Sequence, residues 1–160
     1  MTDQEAQKAL RRAVLTGDME ELDRLIAVGV SLNDFGHDGT TPLMLAVKSS
    51  LGESHDPGVK IVKFLLARGA DINAQTESGA TALIYAVSHH QPEVVEVLIK
   101  AGANVNAKSN AGWSVLDYAR EYGKSEGQVI DLLLEAGADT EKPTWSHVIL
   151  RLQSKPLRLS

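Results

Sequence analysis

Residues 74–106 decide the fold, because they contain one complete structural unit: AQTESGATALIYAVSHHQPEVVEVLIKAGANVN. The unit begins with a polar turn, TESG, whose residue types tolerate tight backbone geometry. Thr81 follows, a residue type that often caps the start of a helix, and then comes the short apolar run ALIYAV. This order predicts a turn followed by a short helix.

A second helix is predicted to begin at Pro92. Val95, Leu98 and Ile99 recur at helical spacing and therefore share one face. Gly102 follows them, at the place where a left-handed residue suits the end of a helix. A helix pair of this size cannot bury its own apolar faces, so it needs a copy of itself on each side.

Copies of the unit recur along the chain. The glycine after the second helix is repeated as Gly29, Gly69, Gly102 and Gly137, and the last three are spaced by 33 and 35 residues. The turn and helix start are repeated as DGTTPL, SGATAL and AGWSVL. A basic period of 33 residues with these signatures resembles the ankyrin repeat family.

The resemblance implies an all-α solenoid of stacked helix–turn–helix units, with four repeats and a C-terminal capping segment in one domain. We assign an N-terminal capping repeat to residues 6–33 and further repeats to residues 34–73, 74–106 and 107–140, and expect residues 1–5 to fray. Residues 141–160 are assigned to a C-terminal cap with a flexible tail. A basic, apolar docking tail is the alternative for that segment.

The repeat at 34–73 is seven residues longer than the basic unit. The excess falls in residues 49–58, whose Gly, Pro, Ser and Asp indicate a loop between the two helices. Insertions in repeat proteins often serve binding, but a surface insertion is also tolerated at little cost in stability. Both interpretations stay open from the sequence.

Composition narrows the function classes. The chain has no cysteine, which excludes a disulfide scaffold and a thiolate metal site and fits a reducing compartment, so a cytoplasmic location is expected. A formal charge of −5 argues against general nucleic-acid binding, because that affinity depends on Lys and Arg. Neither an apolar leader nor an apolar run of membrane-spanning length is present, so no membrane segment is predicted.

Common catalytic motifs are missing from the sequence, including a Gly-rich phosphate loop, His-Glu-x-x-His and Gly-x-Ser-x-Gly. His89 and His90 are adjacent, and adjacent residues at a helix end point in different directions, so no metal site is expected there. We therefore predict a non-catalytic protein without cofactor or metal. One alternative is an enzyme or small-ligand-binding protein that uses the loop 49–58 with His55 or His89. Another is nucleic-acid binding through residues 141–160, whose formal charge is +3.

The resemblance also implies that the turn tips and first helices form a concave face that binds another protein, with the chain monomeric when alone. From this architecture we expect an adaptor, or an inhibitor or neutralising, immunity-like protein. The expected partner-binding residues are Phe35, His37, Asp38, Lys48, Gln75, Glu77, Ser88, His89, Lys108, Asn110, Trp113, Glu121 and Tyr122. Thr40 and Ala80 are also expected to be exposed at turn tips. Trp113 has two interpretations: it contacts a partner, or it packs on its own repeat or over Ala80.

The sequence departs from the family pattern at one position. The histidine that usually follows Thr-Pro-Leu is replaced by Met44, Ile84 and Asp117. In the family that histidine ties neighbouring turns together, so its absence predicts less rigid turns. Asp117 can still accept a hydrogen bond from a nearby amide, whereas Met44 and Ile84 can only pack.

Overall fold

The computed structural model describes residues 2–33, 36, 38–49, 55–122 and 127–140. These residues form eight helices: α1 (Asp3–Thr16), α2 (Met19–Ala27), α3 (Pro42–Ser49), α4 (His55–Ala67), α5 (Ala82–Ser88), α6 (Pro92–Lys100), α7 (Val115–Tyr122) and α8 (Gln128–Glu135). Successive helices pack together as four pairs, which confirms the predicted all-α repeat fold. No helix within these ranges is long and apolar enough to cross a membrane.

The pairs stack side by side in two rows. The first helices α1, α3, α5 and α7 each pack on the next, and the second helices α4, α6 and α8 do the same. Every helix buries at least one leucine: Leu10, Leu43, Leu83 and Leu116 in the first helices, and Leu22, Leu25, Leu65, Leu98 and Leu133 in the second. These leucines belong to one continuous apolar core. Each helix pair therefore depends on its neighbours for burial.

All four second helices end in the same glycine turn. Gly29, Gly69, Gly102 and Gly137 have φ between 87° and 93°, a conformation that favours glycine. The residue after each glycine donates its amide to a carbonyl in the last helical turn, as Ala103 does to Leu98 at 3.0 Å. The helix end predicted at Gly102 is confirmed.

Side-chain caps begin several of the first helices. Thr81 Oγ1 accepts the Ile84 amide at 3.2 Å, as the sequence predicts. The Asp117 carboxylate accepts the Ser114 amide at 2.9 Å, and Ser114 Oγ accepts the Asp117 amide at 3.1 Å. The acceptor role expected of Asp117 is therefore confirmed. Met44 and Ile84 are buried in the core, also as expected.

Two predicted irregular segments are more helical than expected. The fraying predicted for the N-terminus is wrong from Thr2 onward, because Thr2 accepts the Glu5 amide at 3.3 Å and donates its own amide to the Glu5 carboxylate at 2.8 Å. The predicted loop 49–58 is too long, because Ser49 ends α3 and α4 begins at His55. Proline is compatible with a first helical turn, so Pro57 does not prevent this start. Residues 50–54 lie outside the described part of the chain, as does the segment 141–160 that was assigned to a cap.

Asparagine side chains join successive repeats just after the second helices. The side-chain oxygens of Asn33, Asn73 and Asn106 each accept a backbone amide of the next repeat at 2.7–2.8 Å. The turn tips are tied as well, since Asn110 donates its amide to the Ser78 carbonyl at 2.9 Å. Gly79 (φ 78°) permits this approach, because a Cβ there would lie 2.6 Å from the Asn110 nitrogen. The turns are therefore joined to one another without the family histidine, and the expectation of less rigid turns stays a prediction.

Candidate protein-interaction face

The turn tips and the first helices α1, α3, α5 and α7 lie along one side of the stack, which we call the first-helix face. The predicted partner-binding residues that are exposed on it are Asp38, Gln75, Glu77, His89, Lys108, Asn110, Glu121 and Tyr122. Those that are half-buried are Lys48, Ser88 and Trp113. Phe35 and His37 were also predicted, and they lie outside the described residues.

Two of the exposed tip residues hold the turns in place. Gln75 Nε2 donates to the Gly79 carbonyl at 3.1 Å and to the Lys108 carbonyl at 3.3 Å. Asn110 Nδ2 donates to the Glu77 carbonyl at 2.7 Å. The bonds to the Lys108 and Glu77 carbonyls join the tips of successive repeats, so they fix the shape of the first-helix face.

The expected exposure of Thr40 and Ala80 is wrong. Both residues are buried, and both lie in turns that bond to the turn of the next repeat, through the Asp38 and Ser78 carbonyls. The Thr40 hydroxyl donates to the Asp38 carboxylate at 2.7 Å, and the Thr40 amide donates to the same carboxylate at 3.0 Å. These bonds favour the ionised form and lower the pKa of Asp38, with a smaller contribution from the charge of Lys48.

Three aromatic side chains of the last described repeat form a cluster. The ring centroid of Trp113 lies 5.3 Å from that of Tyr118 and 6.5 Å from that of Tyr122, and the two tyrosines are 6.1 Å apart. Trp113 therefore packs on its own repeat, which is one of the two interpretations that the sequence left open. Tyr122 remains 54% exposed, so the cluster presents an aromatic surface on the first-helix face.

A second aromatic group lies one repeat earlier. Tyr85 occupies in α5 the position that Tyr118 occupies in α7, 33 residues later. Lys48 Nζ lies 5.1 Å from the centroid of the Tyr85 ring, and the His89 ring lies 6.3 Å from it. Sequence reasoning did not select Tyr85 or Tyr118. Their recurrence at one position of successive repeats is the signal that could have identified them.

His89 and His90 do not form a metal site with other residues in the part of the chain that the structure describes. His89 Nδ1 lies 2.7 Å from the Tyr85 carbonyl oxygen. His90 has φ 53°, and its Nδ1 is buried without a hydrogen-bond partner. Across the described ranges, no group of three or more His, Asp or Glu side chains could hold a metal. The side chain of His55 lies outside the description.

The opposite side of the stack carries an open groove between α4 and α6, of about 400 Å³, lined by Lys63, Leu66, Glu96, Val97, Lys100 and Ala101. Its main polar groups bond to each other, because Lys100 Nζ donates to the Glu96 carboxylate. This bond lowers the pKa of Glu96. The second helices therefore offer an exposed surface that does not include the aromatic cluster. Glu96 lies on this surface and is a suitable control position.

Comparison with known families agrees with this architecture. A family model described as ankyrin repeats, in three copies, matches residues 1–76 and residues 53–144. The two matches together cover all four helix pairs.

Proposed function

Because the chain belongs to the ankyrin repeat proteins, whose repeats are generally protein–protein interaction modules and typically non-catalytic, we propose that it binds a partner protein through the first-helix face. The aromatic cluster of Trp113, Tyr118 and Tyr122 is the centre of the proposed contact. The face acts by covering the partner's surface, either to inhibit the partner or to hold it as an adaptor.

The observation that carries the proposal is where the aromatic residues lie. The chain has only seven, and no aromatic side chain belongs to the fully buried part of the described core, which consists of aliphatic residues and methionine. Four of the seven, Tyr85, Trp113, Tyr118 and Tyr122, lie on the first-helix face. Tyrosine and tryptophan supply much of the binding energy in protein interfaces, so this distribution supports a contact role.

The stiffness of the face also supports binding. Its turn tips are joined by bonds from Gln75, Asn110 and the backbone of Glu77, and the asparagines at 33, 73 and 106 connect the repeats nearby. A surface that is already ordered loses little conformational entropy when it binds, and more of its contact energy becomes affinity.

The proposal is tested by capturing the partner with the full chain. Three proteins are immobilised at equal density: the unmodified chain and the variants Tyr122→Ala and Glu96→Ala. All three are exposed to the same native lysate, and retained proteins are identified by mass spectrometry. A specific partner should be retained by the unmodified chain and by Glu96→Ala, which alters the second helices, but not by Tyr122→Ala. A partner retained equally by all three would contradict binding through the first-helix face.

A further inference from the structure

One cation of the first-helix face already lies against an aromatic ring. Lys48 Nζ, from α3, is 5.1 Å from the centroid of the Tyr85 ring in α5. This distance is within the roughly 6 Å over which a cation is attracted to a ring face. The second helices contain a similar contact, since the Arg68 guanidinium lies 4.6 Å from the Phe64 centroid.

One repeat further along, the ring is kept but the cation is not. Tyr118 aligns with Tyr85, and Ser88 aligns with Lys48. The serine side chain is short and uncharged, and its hydroxyl donates to the Ile84 carbonyl at 2.8 Å. Among the described residues, no lysine or arginine lies over the ring of Tyr118 or Tyr122, whereas Lys48 and Arg68 each cover a ring.

The surface around these two rings suits a cation. Tyr118 and Tyr122 are stacked, with an angle of 20° between the ring planes and centroids 6.1 Å apart, and Tyr122 is largely exposed. Glu121, next to Tyr122 in α7, is one of the exposed carboxylates. The exposed ring of Tyr122 therefore favours a positive group, and the neighbouring Glu121 carboxylate favours it as well.

We propose that the partner protein places an arginine side chain over Tyr118 and Tyr122, where it takes the role that Lys48 has over Tyr85. This inference rests on the proposed function, because it names the chemistry of the group that occupies the same face. Arginine suits the position better than lysine, since its planar guanidinium stacks on aromatic rings while its N–H groups donate to a carboxylate.

The test follows the ring signals of Tyr118 and Tyr122 by NMR while the full chain is titrated with N-acetyl-arginine amide. N-acetyl-citrulline amide is the matched probe, because it has nearly the same shape without the charge. The arginine probe should shift both ring signals saturably. The citrulline probe should bind at least about threefold more weakly than the arginine probe. Ser88→Lys supplies an internal cation and should abolish the arginine response, whereas the neutral Ser88→Gln should retain it.

Equal responses to the two probes, an unchanged response in Ser88→Lys, or no saturable shift would overturn the inference. The last result includes the case in which one of the four cations of residues 141–160 already occupies the rings. The captured partner separates this inference from the proposed function. If the partner needs Tyr122 but binds Ser88→Lys and Ser88→Gln equally, the arginine inference fails and the proposed function stands. If the partner ignores Tyr122, the proposed function fails, and the probe titration still decides whether the rings bind a guanidinium.

Discussion

Replacing Leu98 by alanine tests whether the repeats share one core. Leu98 is completely buried in α6, and α6 packs against both α4 and α8. The substitution removes a buried isobutyl group and leaves a cavity, and such changes cost about 2–5 kcal/mol. Because α6 is supported on both sides, the cavity cannot close easily, and we expect about 3 kcal/mol. For a chain of this length, that loss lowers the melting temperature by roughly 6–12 °C.

Leu134→Ala in α8 is the matched control, because Leu134 is 42% exposed. Its truncation should cost less than about 1 kcal/mol. Urea denaturation followed by far-UV circular dichroism measures both variants, and each should unfold in one transition with an unchanged slope. Equal losses in the two variants would refute the reasoning. So would a Leu98→Ala variant that loses only part of its helical signal in a separate early step.

Three further changes test the local features of the stack. Asn73→Ala removes the acceptor of the Asn104 amide and should lower the unfolding free energy by about 1 kcal/mol. Asn73→Asp keeps an oxygen acceptor and should lose clearly less stability. Equal urea midpoints for the two variants would contradict the role of this bond. His90→Gly should raise the melting temperature, since His90 has φ 53° and a buried nitrogen without a partner. The control His89→Gly, at a residue with φ −95°, should lower it. The opposite order would contradict the strain at His90. The depressed pKa of Asp38 means that its stabilising effect is present above the ordinary carboxyl pKa, near 4, and is lost as the pH falls through the lower folded value. Asp38→Asn should therefore be less stable at pH 7 and should lose less stability than the unmodified chain between pH 7 and pH 3, and identical acid profiles would contradict this contribution.

The fold was predictable because its signals are local and repeated. Gly69 and Gly102 are one repeat apart, and each closes a helix in the left-handed conformation that glycine favours. Thr81 caps α5 through a bond between residues three positions apart. The capping box between Thr2 and Glu5 is an equally local signal, and it would have predicted the early start of α1.

Some of the errors concern interactions between repeats, which one repeat's sequence does not determine, and the start of α4 is a local error. Thr40 is buried, and its turn is joined to the turn of the next repeat by the Glu77 amide, which donates to the Asp38 carbonyl. Asn73 joins its repeat to the next one by accepting the Asn104 amide. The start of α4 at His55 was not predicted, because proline, present at Pro57, is compatible with either a loop or a first helical turn.

The candidate site was predictable in outline but not in its internal contacts. The repeat register predicted that Glu121 and Tyr122 are exposed at the end of the last first helix, and both are exposed at the end of α7. The packing of Trp113 on Tyr118 depends on side-chain directions, and the sequence left its two interpretations open. Tyr85 went unselected because the position is half-buried, and its contact with Lys48 crosses from one repeat to the next.

The affinity of the captured partner for Tyr122→Ala, relative to Glu96→Ala and the unmodified chain, tests the central claim most directly. Tyr122 is exposed on the first-helix face and Glu96 is exposed on the second helices, so each change should leave the melting temperature nearly the same. Surface plasmon resonance should show that Tyr122→Ala weakens binding by about 2 kcal/mol, near thirtyfold, mainly through faster dissociation, while Glu96→Ala binds normally. Normal binding by Tyr122→Ala, or an equal loss in Glu96→Ala, would contradict the claim that the first-helix face and its aromatic cluster recognise the partner.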